Sequence, residues 1–132
     1  MPGSDAPHAD GREIALTAAR AAAAKQAADV TILDVHDLIV ITDYFVIASG
    51  QTGRQVKTIL EEVERAVRDL GEKPVRREGD ADSRWVLLDY IDVVVHVFAQ
   101  EEREYYDLER LWRDAPRLGW MGSKQAAAGS LD

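Results

Sequence analysis

Trp85-Val86-Leu87-Leu88-Asp89-Tyr90-Ile91-Asp92-Val93-Val94-Val95-His96-Val97-Phe98 is a pair of apolar, β-branched-rich runs around a short acidic break, the pattern of a tight hairpin. The run that starts at Val93 is almost continuously apolar, which suits a central strand covered on both faces better than a half-wet edge. A charged helical run follows within a few residues, Glu101-Glu102-Arg103-Glu104-Tyr105-Tyr106-Asp107-Leu108-Glu109-Arg110-Leu111-Trp112. A hairpin feeding a helix is therefore the unit around which the other elements are arranged.

Upstream, residues 1–10 carry two prolines, a glycine and small polar residues and read as a disordered arm. Alanine dominates Glu13 to Ala28, predicting an amphipathic helix with a small face suited to close packing on a sheet. Val30–Val35 and Tyr44–Ala48 read as strands joined by an irregular connection, despite the apolar Leu38-Ile39-Val40-Ile41. The clearest helix start is Thr52, with Gln55 placed to complete a capping box. Val56, Ile59, Leu60, Val63, Val67 and Leu70 then recur at helical spacing, and Gly71 is the expected left-handed residue after the helix. Pro74–Arg77 reads as an edge strand because it opens on proline. The last helix has an apolar stripe of Tyr105, Leu108, Leu111, Trp112 and Ala115 and stops at Pro116. The resulting order, α-β-β-α-β-β-β-α, predicts an α/β fold with a mixed five-stranded sheet flanked by helices. One domain over 11–116 and a flexible tail over 117–132 complete the reading.

Composition narrows the function. The formal net charge is −8 and the pI near 4.8, so phosphate backbones repel the chain at long range and a basic protein attracts it. The visible basic cluster, Lys73, Arg76 and Arg77, is flanked by Glu72 and Glu78 and reads as a solvated strand edge, giving no direct nucleic-acid specificity. There are no cysteines, which excludes disulfides, thiol nucleophiles and thiolate metal sites. No apolar run reaches the roughly eighteen residues of a membrane span. The first ten residues lack the apolar core of a signal peptide, so the expected location is the cytoplasm.

Three constellations have chemical potential, each with a plainer alternative. Ser49-Gly50-Gln51-Thr52-Gly53 lies between a strand and a helix, where phosphate loops occur, but it lacks a Walker lysine and the three-glycine fingerprint. Asp89 and Asp92 flank the hairpin turn and are the right residue type for a divalent metal. Acids three apart across a turn more often satisfy turn amides. His96 lies in the most buried-looking strand without a nucleophile motif beside it, which favours a structural histidine satisfied across the sheet. The aromatic residues Trp85, Tyr105, Tyr106 and Trp112 read either as core or as a partner surface, since acids surround them as at an interface rim.

The same residues carry a family resemblance. Thr42-Asp43-Tyr44-Phe45-Val46-Ile47-Ala48-Ser49-Gly50, then Arg54-Gln55-Val56, the hairpin from Trp85 to Phe98, and Arg103-x-Tyr105-Tyr106-x-Leu108-Glu109-x-Leu111-Trp112 resemble the ribosomal silencing factor family, also called Iojap. The likeness runs from about residue 13 to 115. It implies a nucleotidyltransferase-like fold without the catalytic carboxylates, no enzymatic activity, and no cofactor or metal. It further implies binding to a basic protein of the large ribosomal subunit, the fourteenth in its nomenclature, which blocks joining of the small subunit and represses translation. Trp85, Asp89, His96, Glu101, Tyr105, Tyr106, Glu109 and Trp112 are the expected partner-binding residues, and a homodimer of the free protein is a further expectation. The chain departs from the family at the hairpin turn, where Ile91 stands in place of the usual glycine. A β-branched residue tolerates positive φ poorly, so the turn must change type or carry strain. The rival is a small nucleotidyl- or phosphoryl-transfer enzyme using Asp89, Asp92 and the Ser49–Gly53 loop.

Overall fold

A computed structural model of the chain describes residues 10–79, 84–107, 110 and 113–120, with residues 105 and 106 described by their backbone alone. The elements are α1 (Gly11–Ala24), β1 (Ala28–Asp34), β2 (Tyr44–Gly50), α2 (Gly53–Arg68), β3 (Arg76–Gly79), β4 (Trp85–Asp89), β5 (Val93–Ala99) and α3 (Gln100–Tyr106). The strands form one mixed sheet in the order β1-β2-β5-β4-β3. Only β2 and β5 run parallel; the other neighbours are antiparallel. As its uninterrupted apolar run requires, β5 is the middle strand, with every residue but Val94 buried.

The helices α1 and α2 lie together on one face. In α1, Ala15, Ala18, Ala19 and Ala22 are wholly buried, and their lack of bulk lets the helix axis approach the sheet. Its start is earlier than the alanine run suggests: Asp10, expected in the disordered arm, caps it by accepting from the Glu13 N–H at 2.8 Å. For α2, the Thr52 hydroxyl accepts from the Gln55 N–H at 3.1 Å. The reciprocal Gln55 carbonyl takes the N–H of Gln51, one residue before the cap. Val56, Ile59, Leu60, Val63 and Val67 are buried against the sheet. At about 1.5–3 kcal/mol for each buried aliphatic side chain, this stripe is what holds α2 in place. The helix closes as expected: Glu72 N–H reaches Val67 O, Gly71 N–H reaches Arg68 O, and Gly71 sits at φ +90°.

Other boundaries also differ from expectation; β1 starts at Ala28 and β2 runs on through Ser49 and Gly50. β3 is an edge strand, but it begins after Pro74 rather than on it, at Arg76. Proline has no N–H for the ladder, and the first donor after it, Val75 N–H, bonds Asp89 O at 2.8 Å immediately ahead of the strand. α3 ends at Tyr106 because Asp107 turns left-handed (φ 48°, ψ 56°), so no single helix carries the stripe from Tyr105 to Ala115. Aspartate is among the few residues that enter this region at modest cost. Finally, residues 117–120 begin the expected flexible tail but run along the outer edge of β1. Asp34 N–H bonds Pro116 O at 2.8 Å, Leu33 bridges Arg117, and Leu118 N–H bonds Ile32 O at 2.9 Å. Trp120 then packs on the helix-side core, its indole N–H donating to Val30 O at 3.1 Å.

Candidate partner-binding face

Alternation along β4 and β5 sends Val86, Leu88, Val93, Val95 and Val97 into the core beneath α1 and α2. Trp85, Leu87, Asp89, Val94, His96 and Phe98 consequently point to the opposite face. A smaller core of Leu33, Val35, Ile47, Phe98 and Ala115 covers that face at its β1–β2 end. Toward β4 and β3 it opens, leaving Trp85 38% exposed and Leu87 and Val94 partly exposed.

Four rings stand in a row here. Trp85 stacks on Phe98 at 5.3 Å between centroids and lies near parallel to His96 at 6.2 Å; His96 meets Phe45 edge to face at 5.2 Å. Such pairs are each worth about 0.5–1.5 kcal/mol beyond the area they bury. The Trp85 indole N–H points to His96 Nδ1 at 3.4 Å, so the imidazole accepts and must be neutral there. Burial alone lowers the His96 pKa to about 4, and protonating Nδ1 would also remove the acceptor. His96 is thus the structural histidine satisfied across the sheet. With 7% exposure it offers little surface of its own and supports the Trp85 ring from within.

Beside Trp85 is a slot of about 260 Å³ lined by Glu78, Gly79, Trp85 and Leu87. Acids surround this region, but they differ in freedom. Glu101 is 87% exposed and lies 3.2 Å from Arg84. Asp89, expected to pair with a partner's basic groups, is instead engaged inside the fold. It accepts the Ile91 N–H at 2.8 Å and lies 3.5 Å from Arg76. Ile91 itself has φ +74° and is spanned by a hydrogen bond from Asp92 N–H to Tyr90 O, which makes a γ-turn of the strained kind. The missing glycine is accommodated by strain, with Asp89 bracing the turn. Tyr105, Tyr106, Glu109 and Trp112 have side chains outside the described residues.

The rival site is differently occupied. Ser49 is fully buried, and its hydroxyl accepts from Arg103 Nη1 at 2.9 Å. The Gln51 and Gln55 N–H groups that a phosphate would need are taken by Gln55 Oε1 and Thr52 Oγ1. A Cβ on Gly50 would meet Val56 N at 2.9 Å, so this glycine serves close approach of α2 to the strand. Among the described residues no group of three His, Cys, Asp or Glu converges as metal ligands. Buried Arg103, at 6% exposure, was not legible as a structural residue; its signal in the sequence is a lone arginine among acids.

This geometry can be compared with known proteins. A family model described as "Ribosomal silencing factor during starvation" matches residues 8–130. The chain belongs to the ribosomal silencing factor family. The ribosomal silencing factor of Bacillus subtilis is 42% identical over 105 residues, 80% of this chain and 89% of that protein. The one from Halalkalibacterium halodurans is 41% identical, covering 84% of this chain and 95% of its own length. The chloroplastic Iojap protein of Zea mays is 34% identical over 76% of this chain and 44% of that longer protein. Among solved structures, a Chromobacterium violaceum protein superimposes with a TM-score of 0.75 at 35% identity, covering 79% of this chain and 87% of that one. A Bacillus halodurans protein does so with 0.71 at 37%, covering 82% and 98%. The mixed five-stranded sheet with its helices is therefore shared with relatives of known structure.

Proposed function

We propose that this silencing factor docks the open end of its sheet on a basic protein of the large ribosomal subunit, the fourteenth in its nomenclature, and so obstructs joining of the small subunit. It represses translation as a physical obstacle in the cytoplasm and makes or breaks no bond. The observation that carries this reading is Trp85, a large ring left 38% exposed beside an apolar slot on a face that the described helices leave open. A half-exposed tryptophan held by stacked rings is a preorganised anchor of the sort that dominates interface energetics. A net charge of −8 favours a basic partner and speeds encounter with it. Glu101 supplies acidic rim on this reading, and Tyr105, Tyr106, Glu109 and Trp112 are the further contact residues it proposes.

Co-sedimentation of the purified protein with separated large subunits tests the proposal. Trp85→Ala, if its circular dichroism matches wild type, is expected to bind about thirtyfold more weakly, the equivalent of roughly 2 kcal/mol. Equal binding by Trp85→Ala and Leu87→Glu would remove this face from consideration. The phosphoryl-transfer reading is weakened by the Gln51 and Gln55 amides being taken inside the fold and by the absence, among the described residues, of a converging group of acids.

A further inference from the structure

The two arginines of the basic cluster visible in the sequence are paired with carboxylates in the fold, whereas a second group of arginines is not. Arg76 lies against Glu78 and Asp89, and Arg77 against Glu64 of α2. Arg65 and Arg84 are likewise paired with carboxylates. Arg110, Arg113 and Arg117 behave differently. They line an open cavity of about 400 Å³ together with Asp107. All three are exposed, and among the described residues none makes an ion pair.

Their convergence is built by the fold, since the segment is tied at both ends. On one side Arg103 is buried against Ser49, and Asp107 N–H bonds Arg103 O at 2.8 Å as α3 closes. Arg110 N–H then returns to Asp107 O at 3.0 Å. On the other side Ala115 is buried in the smaller core, and residues 116–118 bond to β1. Between these anchors three guanidinium groups converge on one cavity, with Asp107 the one carboxylate among its described lining residues. In a protein of net charge −8, an excess of positive charge in one cavity is a local reversal of the prevailing field.

We propose that this cavity is a phosphate-binding site, taking a phosphoryl group carried on an RNA backbone or on a free nucleotide. Guanidinium forks match phosphate oxygens two at a time, and three forks exceed what the two oxygens of a carboxylate can use. The open, polar cavity suits a charged group presented from solvent rather than an enclosed apolar ligand. The cavity shares no described lining residue with the slot at Trp85, so the resonances of Trp85 and Leu87 report on that slot independently.

The experiment is an amide NMR titration of the full chain with sodium pyrophosphate at low salt. Pyrophosphate is expected to move the resonances of residues 107, 110, 113, 114 and 117 and to leave those of Trp85 and Leu87 in place. Arg113→Gln combined with Arg117→Gln is expected to weaken binding at least about tenfold, and the corresponding lysine pair, which keeps charge but loses the forks, to weaken it less. Parallel titrations with ATP and with a short single-stranded RNA identify the source. Binding of ATP alone at these residues assigns a nucleotide, and tighter RNA binding that falls steeply with salt assigns a backbone. Unmoved resonances at 107–117 in the wild-type titration, or undiminished binding by a folded glutamine double variant, would overturn the site.

Discussion

The two faces of the sheet are made by the same strands and differ in what covers them. Under α1 and α2, alternate residues of β2, β4 and β5 meet a continuous layer of alanine, valine, leucine and isoleucine, nearly all without solvent contact. On the reverse, the intervening residues are a row of rings whose outermost member is 38% exposed. Aliphatic packing is non-directional and rewards burial alone. Stacked rings with an N–H to imidazole contact fix an orientation, and that makes the second face suited to recognition. Stability is concentrated on one side and surface chemistry on the other.

Substitutions can break this division. Ile59, fully buried in α2, is expected to cost about 2–5 kcal/mol on truncation to alanine. Chemical denaturation would show that loss, while the fraction still folded binds large subunits normally. A comparable loss of binding by folded Ile59→Ala would mean that the faces are not separable. His96 gives the next effect. Its folded pKa near 4 lies below the ordinary value of 6.5, so the unfolded chain takes up the proton first as pH falls. Stability contributed by neutral His96 is therefore present above pH 6.5 and is lost progressively down to pH 4, by roughly 3 kcal/mol at the lower limit. As pH falls over this interval the denaturation midpoint of wild type should drop relative to that of His96→Leu, the leucine variant being the flatter. His36 has the opposite sign, since its hydrogen bond to Asp34 raises its pKa and its contribution is lost as pH rises. The leucine comparison isolates the buried ring from it. Smallest is the turn that joins β4 to β5: Ile91→Gly should relieve a φ of +74° and stabilise the protein by about 1 kcal/mol. An unchanged or lowered melting temperature would show that the isoleucine contributes more than its strain costs.

What was legible in the sequence followed from strong local patterns. A continuous apolar run marked β5 as the central strand, and a cap, a stripe and a glycine marked α2 with both its ends. The open face was legible in part, because Trp85 and His96 fall on one side of neighbouring strands by alternation. Their stacking depends on register, which no local pattern carries. The bracing role of Asp89 was legible, since acids flanking a turn tend to satisfy its amides, and the amide here is Ile91 N–H. The end of α3 was missed because Asp107 ends the helix by adopting a left-handed backbone, without glycine or proline as a marker. Arg103, Arg110, Arg113 and Arg117 each looked like an ordinary surface cation. Burial of the first comes from a contact with distant Ser49 that spacing along the chain does not encode, and the cavity shared by the other three is visible only in the structure.

The strap of residues 116–118 along β1 has a consequence for how this molecule meets others. A sheet ordinarily offers two bare rims of donors and acceptors on which a foreign strand can grow, with the attendant risk of runaway polymerisation. Here one rim is occupied by the chain's own backbone, through the bonds to Ile32 and Asp34. The other belongs to β3, only four residues long and bearing Arg76, Arg77 and Glu78. With one border sealed and the other short and charged, strand-by-strand accretion is disfavoured, and neighbours are left to approach broadside.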